Sequence, residues 1–396
     1  MDPLEDTDVL VGLRDGKGII ERVDRSIEAP EGYRRIDLDG RYLMPGLINA
    51  HAHIMDFYPD DPIDPDGEFT PQSHISDTLA NIREELASGV TTLRTMGEWS
   101  SAVVHLKEEI DQGMVQGPRL LVSGPGISPT NGHGWRYSLV ADGPWEFRRE
   151  VRLALSRGVD WIKLKTTGGV TDSSGPGDSI APRMIPEEIR AACDEAHRAG
   201  RPVASHTLGR RGLREALQAG VDTIEHGSAI DPDMVNLFLD NPRSLRGESA
   251  LVVTLSVAHN IMRGKAEAEH MTEVQLENAK QVWEEELQGL RTALDHGIPL
   301  GCGNDVLGPF NTHDTFWEEV VHLAHYGDIP NRRALQIATL GNARVLGVDR
   351  ITGTIEPGKE ADLMVLDHDP LENLSALTRP SMVFSRGREF PLELRG

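Results

Sequence analysis

At 396 residues the chain can bury a large core, with room for one large domain and a small one. A formal charge of −23, with no clustered Lys/Arg stripe beyond Arg210-Arg211 and Arg332-Arg333, argues against nucleic acid as a partner, and no apolar run is long enough to span a bilayer. The two cysteines, Cys193 and Cys302, form neither a disulfide framework nor a zinc-finger spacing.

The acidic start, Met1-Asp2-Pro3-Leu4-Glu5-Asp6, lacks the basic and apolar regions of a signal peptide, so a cytoplasmic protein is expected. Strand-like patches from Val9 to Val23 surround a turn at Asp15-Gly16. The middle of the chain then alternates short apolar runs with amphipathic stretches. The candidate strands are Leu43 to His51, Thr91 to Thr95, Arg119 to Val122, Trp161 to Lys165, Val203 to His206, Thr223 to His226, Leu251 to Leu255 and Leu300 to Gly303. Helical patterns separate most of them. The clearest runs from Pro186 to Ala199: Pro186 suits the first helical position, Glu187 and Glu188 suit the positive N-terminus, and Gly200 ends it. Asp231-Pro232 opens another. Ser88-Gly89-Val90, Arg157-Gly158-Val159 and Ala219-Gly220-Val221 each close a helix ahead of a strand, the mark of repeated βα units.

Eight such strands imply a (β/α)8 TIM-like barrel over residues 43–347. A doubly wound open sheet is the alternative, but no Gly-x-Gly-x-x-Gly follows the first strand. The charged, helical stretch His259 to His296 reads as an extended insertion after strand seven. The strand-like patch Leu363 to Leu366 and the turn Pro357-Gly358 place residues 348–396 with residues 1–42, in a small β-sandwich domain built from both termini.

Lysine is scarce, with seven in the chain, yet Lys163 and Lys165 stand two residues apart in a strand. Alternation points both to one face, where a buried cationic pair is costly unless neutralised. Other polar residues gather where strands end. His51-Ala52-His53 closes the first, His206 the fifth and His226 the sixth, and Asp305 follows the eighth. In a barrel these ends converge on one face. Imidazole and carboxylate suit zinc and similar divalent ions, and His-x-His on a strand turns both rings to the same side. Taken singly, Asp305 reads as a loop cap and Lys163 as a snorkelling strand-end lysine. Their joint placement at successive strand ends is what points to a metal site.

At these residues the chain resembles the amidohydrolase superfamily. Pro45-Gly46-Leu47-Ile48-Asn49-Ala50-His51-Ala52-His53 is similar to its opening motif. Thr339-Leu340-Gly341-Asn342-Ala343-Arg344 and Gly353-Thr354-Ile355-Glu356-Pro357-Gly358-Lys359-Glu360-Ala361-Asp362-Leu363 are similar to its closing signature. Ile162-Lys163 before Gly168-Gly169, Ile224-Glu225-His226-Gly227 and Gly132-His133-Gly134 resemble the branch of prolidase-like dipeptidases and ochratoxinase-like amidases. The resemblance implies two divalent metal ions, expected to be zinc, bridged by a carbamylated Lys163. His51, His53, Lys163 and Asp305 would hold the first ion, and Lys163, His206 and His226 the second. A hydroxide bridging the metals would be the nucleophile, with Asp305 as proton shuttle. Only a neutral amine takes up carbon dioxide, and burial favours that form of lysine, a route closed to arginine.

The implied activity is hydrolysis of an amide bond in a small molecule: an N-acyl amino acid, a dipeptide or an ochratoxin-like aryl amide. His133 is expected to help hold the scissile carbonyl and Arg136 to meet a substrate carboxylate. Tyr137, Trp99, Trp135 and Phe310 are candidates for an apolar pocket wall. Three positions depart from the pattern: Asn49 for Asp, Leu208 where Tyr is often found, and Asn304 for Thr. Leu208 and Asn304 border the expected substrate. The N-terminal strand region is also shorter than usual for the branch, implying a reduced β domain or a longer natural start. The competing readings are a carbamate, urea or lactone hydrolase with the same centre, a mononuclear deaminase or imidazolone-type ring hydrolase, and a non-catalytic dihydropyrimidinase-like scaffold. Lys163 argues against the mononuclear class, and the full set of six ligands argues against the scaffold. No membrane partner is expected, and a homo-oligomer is, by analogy with such folds.

Overall fold

In the computed structural model, which describes residues 3–55, 75–264, 271–306 and 311–392, Asp15 and Gly16 both have positive φ, 49° and 78°. This Asp-Gly pair joins β1 (Asp8–Arg14) to β2 (Lys17–Asp24) as an antiparallel hairpin, the turn that such dihedrals favour. β3 (Tyr42–Pro45) and β4 (Leu47–Ala52) follow as separate strands, which corrects the single strand expected from Leu43 to His51. Gly46 is the break. Its N–H donates to Asp362 O at 2.9 Å, and a Cβ there would lie 2.2 Å from Thr91 Oγ1.

The chain continues through α1 (Ile75–Ala87), β5 (Val90–Thr95), α2 (Ala102–Asp111), β6 (Arg119–Leu121), the short β7 (Ile127–Ser128) and β8 (Leu139–Val140), α3 (Pro144–Ser156) and β9 (Ile162–Lys165). Then come α4 (Pro186–Arg198), β10 (Val203–Leu208), α5 (Arg210–Ala219), β11 (Thr223–Gly227), α6 (Pro232–Leu239), β12 (Ala250–Val253), α7 (Leu255–Met262) and α8 (Glu273–His296). β13 (Leu300–Cys302), α9 (Phe316–Gly327), α10 (Asn331–Gln336) and α11 (Asn342–Leu346) complete the βα alternation. Among the described residues, the helical stretch after strand seven holds two helices: α7 starts directly at the strand end, and α8 is the long return to β13.

β4, β5 and β6 form one parallel arc, and β9 to β13 form another in chain order, with β7 beside β9 and β8 beside β7. Together with the surrounding helices they make a (β/α)8-like barrel. Side chains close the seams between the arcs. Asn342 bridges β13 and β4: its amide donates to Ile48 O at 2.5 Å and Cys302 O at 2.8 Å, and its Oδ1 accepts from Cys302 N at 2.8 Å. At the other seam Asp160 N donates to Val122 O and Asp160 Oδ2 accepts from Val122 N.

β14 (Leu363–Leu366), β15 (Met382–Ser385) and β16 (Arg388–Phe390) join β3 in an antiparallel sheet of order β16-β15-β14-β3. The β1–β2 hairpin docks on it through Gly18 N to Arg386 O and Ala361 N to Gly18 O. Both termini thus build a small β domain, as expected. Within the barrel Ile48, Ala50, Met96, Trp161, Ala204 and Val252 form a buried cluster. Trp161 and Ala204 precede Lys163 and His206 by two residues on the same strand faces, so the cluster is the floor of the space into which those two side chains rise. No helix among the described residues is long and apolar enough to cross a membrane.

Candidate metal centre

Asp305 Oδ1 lies 3.2 Å from both His51 Nε2 and His53 Nε2. The register irregularity of β4 between Asn49 and Ala52 accompanies this inward turn of His51. Asp305 reaches the pair because its N–H donates to His51 O at 2.9 Å and its backbone is left-handed, with φ of 47°. His226 is also left-handed, with φ of 66°. Such conformations are strained for residues other than glycine and persist only where surroundings enforce them. Two of the six residues expected at the site thus carry backbone strain at their strand ends.

The histidines present defined nitrogens. His51 Nδ1 donates to Glu225 Oε2 at 2.8 Å, leaving Nε2 for Asp305. His206 Nε2 donates to Gly168 O at 2.8 Å, leaving Nδ1 bare. His226 Nδ1 meets Thr254 Oγ1 at 2.7 Å. The His226 ring lies 5.0 Å from the His51 ring and 4.6 Å from the His206 ring. His53 Nδ1 is buried without a hydrogen-bond partner, and its ring stacks on Trp99 at 6.1 Å. Burial holds His53 neutral, with its pKa down at about 4, and pushes His206 and His226 well below the usual imidazole range. Burial alone would raise the Asp305 carboxyl, but the His51 and His53 contacts and nearby His226 outweigh it and hold it well below the usual range.

Lys163 rises between these groups. Its amine is buried, and burial brings its pKa down to about 8 against the opposing pull of Glu225 and Asp305. Its charge acts on His53, His206 and His226 alike. Lys165 points along the same face to a different environment. Its Nζ donates to Ser138 Oγ at 2.9 Å and lies 6.0 Å from the Trp99 ring centre; burial also brings it down to about 8.

This donor set fits divalent metal. Neutral imidazoles and an ionised carboxylate are the ligand forms such ions require. His51, His53 and Asp305 bring three ligand atoms within 4.8 Å of one another, and the bare nitrogen of His206 adds a further donor nearby.

Glu225 is a site residue that the motifs alone did not assign. Arg94 Nη2 donates to both its oxygens at 2.8 Å, Arg94 Nε donates to Ala50 O at 2.6 Å, and the guanidinium lies 4.4 Å from the Trp161 ring centre. Burial would raise Glu225, but Arg94 first and then His51 hold it well below the usual carboxylate range. Opposite charges at strand positions of Thr91–Thr95 and Thr223–His226 were the available signal.

His133 stacks on His206 with ring centres 4.3 Å apart. Its Nδ1 lies 3.0 Å from both oxygens of Asp172, a second residue the motifs did not reveal, and Asp172 also accepts from Gly134 N at 2.8 Å. Gly168 and Gly169 make this possible. A Cβ on Gly169 would lie 2.1 Å from His133 Nδ1, and one on Gly168 would lie 2.1 Å from Asp178 O. A cavity of about 210 Å³ opens here, lined in part by His133, Trp135, Asp172 and Arg183. Tyr137 meets Trp99 edge-on at 5.8 Å. Leu208 is buried, its N–H donating to Thr167 Oγ1 at 2.9 Å. Arg136 is exposed, its guanidinium 5.0 Å from the Trp135 ring centre. Asn304 Oδ1 accepts from Asn49 at 2.8 Å, so two of the departures from the motifs pair with each other. Phe310 lies outside the described residues.

Comparison with known proteins agrees with this geometry. The amidohydrolase family pattern matches residues 42–390. A presumptive prolidase from Bifidobacterium longum has 39% identity, covers 96% of this chain and 88% of its own, and superposes with a TM-score of 0.85. A Xaa-Pro dipeptidase with bound methionine in the active site has 26% identity, coverage of 94% and 93%, and a TM-score of 0.80. Ochratoxinase from Aspergillus niger is 26% identical over 373 residues, 86% of this chain and 73% of the relative. The chain belongs to the amidohydrolase family and is a hydrolytic enzyme acting on C–N bonds.

Proposed function

We propose that the enzyme hydrolyses an amide bond of a small molecule, in the class of N-acyl amino acids, dipeptides and ochratoxin-like aryl amides. The similarity to dipeptidases and ochratoxinase supports that substrate class. The observation that carries the reading is the buried Lys163 amine, set among imidazoles and lowered to about 8, where carbamylation turns a costly cation into an anion suited to metal. His51, His53, Asp305 and Lys163 would hold one divalent ion, and Lys163, His206 and His226 a second, with zinc favoured by the nitrogen-rich donor set. Ions bound there supply an activated water at neutral pH and polarise the scissile carbonyl.

The chain's own groups do the rest. Asp305, kept ionised by its histidine contacts, accepts the proton of the attacking water and returns it to the leaving nitrogen. His133, held by Asp172 and stacked on His206, faces the substrate from the loop side. Trp99 and Tyr137 form an aromatic wall beside His53 that excludes water from the reacting bond.

The test is a screen of N-acyl amino acids, dipeptides, aryl amides, carbamates and lactones on zinc-replete protein. Amide turnover that vanishes in Lys163→Ala supports the proposal. Turnover confined to carbamates or lactones, or full activity in Lys163→Ala, removes it.

A further inference from the structure

Glu286 is a buried carboxyl whose Oε2 has no hydrogen-bond partner. Its helix, α8, sets it beside the end of β11. The preceding residue, Glu285, accepts from Ser228 Oγ. Gly289 packs so tightly on the same turn that a Cβ would lie 2.3 Å from Ser228 O. Ser228 is two residues beyond His226, so this turn of α8 stands level with the mouth of the barrel. A second buried carboxyl, Glu319, lies on the strand-seven side. It accepts from Leu255 N at 2.9 Å, Ser256 N at 2.7 Å and Ser256 Oγ at 2.6 Å, just beyond Thr254, which holds His226. Burial pushes Glu286 well above the usual carboxylate range, and the charges of Glu319 and Asp305 add to the effect.

Glu286 therefore lacks the donors that Glu319 has, and burial raises both carboxyls, Glu319 to about 8. A carboxylate removed from water without a donor is costly, so the arrangement is matched to a positive partner from outside the chain. A third metal ion is a poor match. Among the described residues only His51, His53 and Asp305 bring three ligand atoms within 4.8 Å of one another, and the Glu319 oxygens are already engaged by N–H and O–H donors. The charge of −23 favours approach of cationic molecules.

We propose that Glu286 forms a subsite for a cationic group of the substrate, a primary ammonium or a guanidinium. The inference rests on the amide-hydrolase reading above and narrows its substrate to amides bearing positive charge near the scissile bond.

Three ligands that differ by one ammonium each make the test: hexanoate, L-norleucine and L-lysine, titrated calorimetrically into zinc-replete enzyme. One of the two added ammonium groups is expected to tighten binding by about tenfold or more. Glu286→Gln, and Glu286→Met as a second variant, are expected to bring that ratio close to one. Equal binding of all three ligands to the unaltered enzyme overturns the subsite without recourse to any variant, as does a gain that survives both substitutions. Because binding is read without turnover, the two proposals fail separately. A Glu286-dependent gain in a protein that cleaves no amide keeps the subsite and removes the amide reading. Amide cleavage without the gain does the reverse.

Discussion

His51 Nδ1 lies 2.8 Å from Glu225 Oε2, with both side chains fully enclosed. Arg94 clasps the same carboxylate from the other side at 2.8 Å, so a buried charge pair fixes the orientation of the first histidine of the His-x-His pair. The ring then offers Nε2 alone to Asp305. On the proposed reading Glu225 positions His51 for metal. Glu225→Gln is expected to weaken zinc binding by about 10–100-fold, measured by chelator competition. It should also lower thermal stability, because Arg94 would keep a buried charge without its partner. Unchanged zinc affinity would show that His51 is oriented by other contacts.

The titration of Lys163 sets a direction for assembly of the centre. In the metal-free protein burial brings the amine down to about 8, so the neutral form grows as pH rises through that value. At fixed dissolved carbon dioxide, the rate of activation by zinc should therefore rise between about pH 7 and pH 9 and level off above. The sign for stability agrees: a lysine with depressed pKa contributes stability present above its unfolded value and lost as pH falls through about 8. Activation kinetics that fall over this range would contradict uptake by a neutral amine.

Gly169 leaves the space that His133 occupies, since a Cβ would lie 2.1 Å from His133 Nδ1. Gly169→Ala is expected to displace His133 from Asp172 and to reproduce the kinetics of His133→Ala, a raised KM with the zinc content intact. Steady-state kinetics with metal analysis check this. A Gly169→Ala enzyme with unaltered KM would separate His133 from substrate binding.

Asn342 closes the barrel between β4 and β13 with three hydrogen bonds to backbone groups. Asn342→Ala would leave those groups unpaired in a buried seam, with an expected loss of about 2–4 kcal/mol. Denaturant unfolding measures it. A change below about 0.5 kcal/mol would mean that the seam is held by packing alone.

Much of this was legible in the sequence, because barrel strands end on one face and short motifs carry the chemistry within two or three residues. His51-Ala52-His53, Lys163, His206, His226 and Asp305 could be placed at strand ends before any coordinates; the structure brings ligand atoms of His51, His53 and Asp305 within 4.8 Å of one another, with the His226 ring 5.0 Å from that of His51 and 4.6 Å from that of His206. The supports were not legible in the same way. Arg94 and Glu225 meet across 131 positions of sequence, and only the closed barrel brings them together. Asp172 reaches His133 through a loop whose path no periodicity encodes. The left-handed backbone at His226 and Asp305 runs against the preference of both residue types and is imposed by the strand ends. Gly46 ended one strand and began another because its neighbour Thr91 leaves no space for a side chain, a contact invisible in an apolar run.

The pair Lys163 and Lys165 allows the most direct test. Both amines are buried and both are lowered to about 8, so basicity does not distinguish them. Their surroundings do: Lys163 lies among the histidines, whereas Lys165 is held by Ser138. Apo-protein reconstituted with zinc and carbon-13-labelled bicarbonate, followed by carbon-13 NMR, should show a protein-bound carbamate that persists in Lys165→Ala and is absent from Lys163→Ala. A fully active enzyme with no bound label, or a label that survives Lys163→Ala, would contradict a carbamate on Lys163.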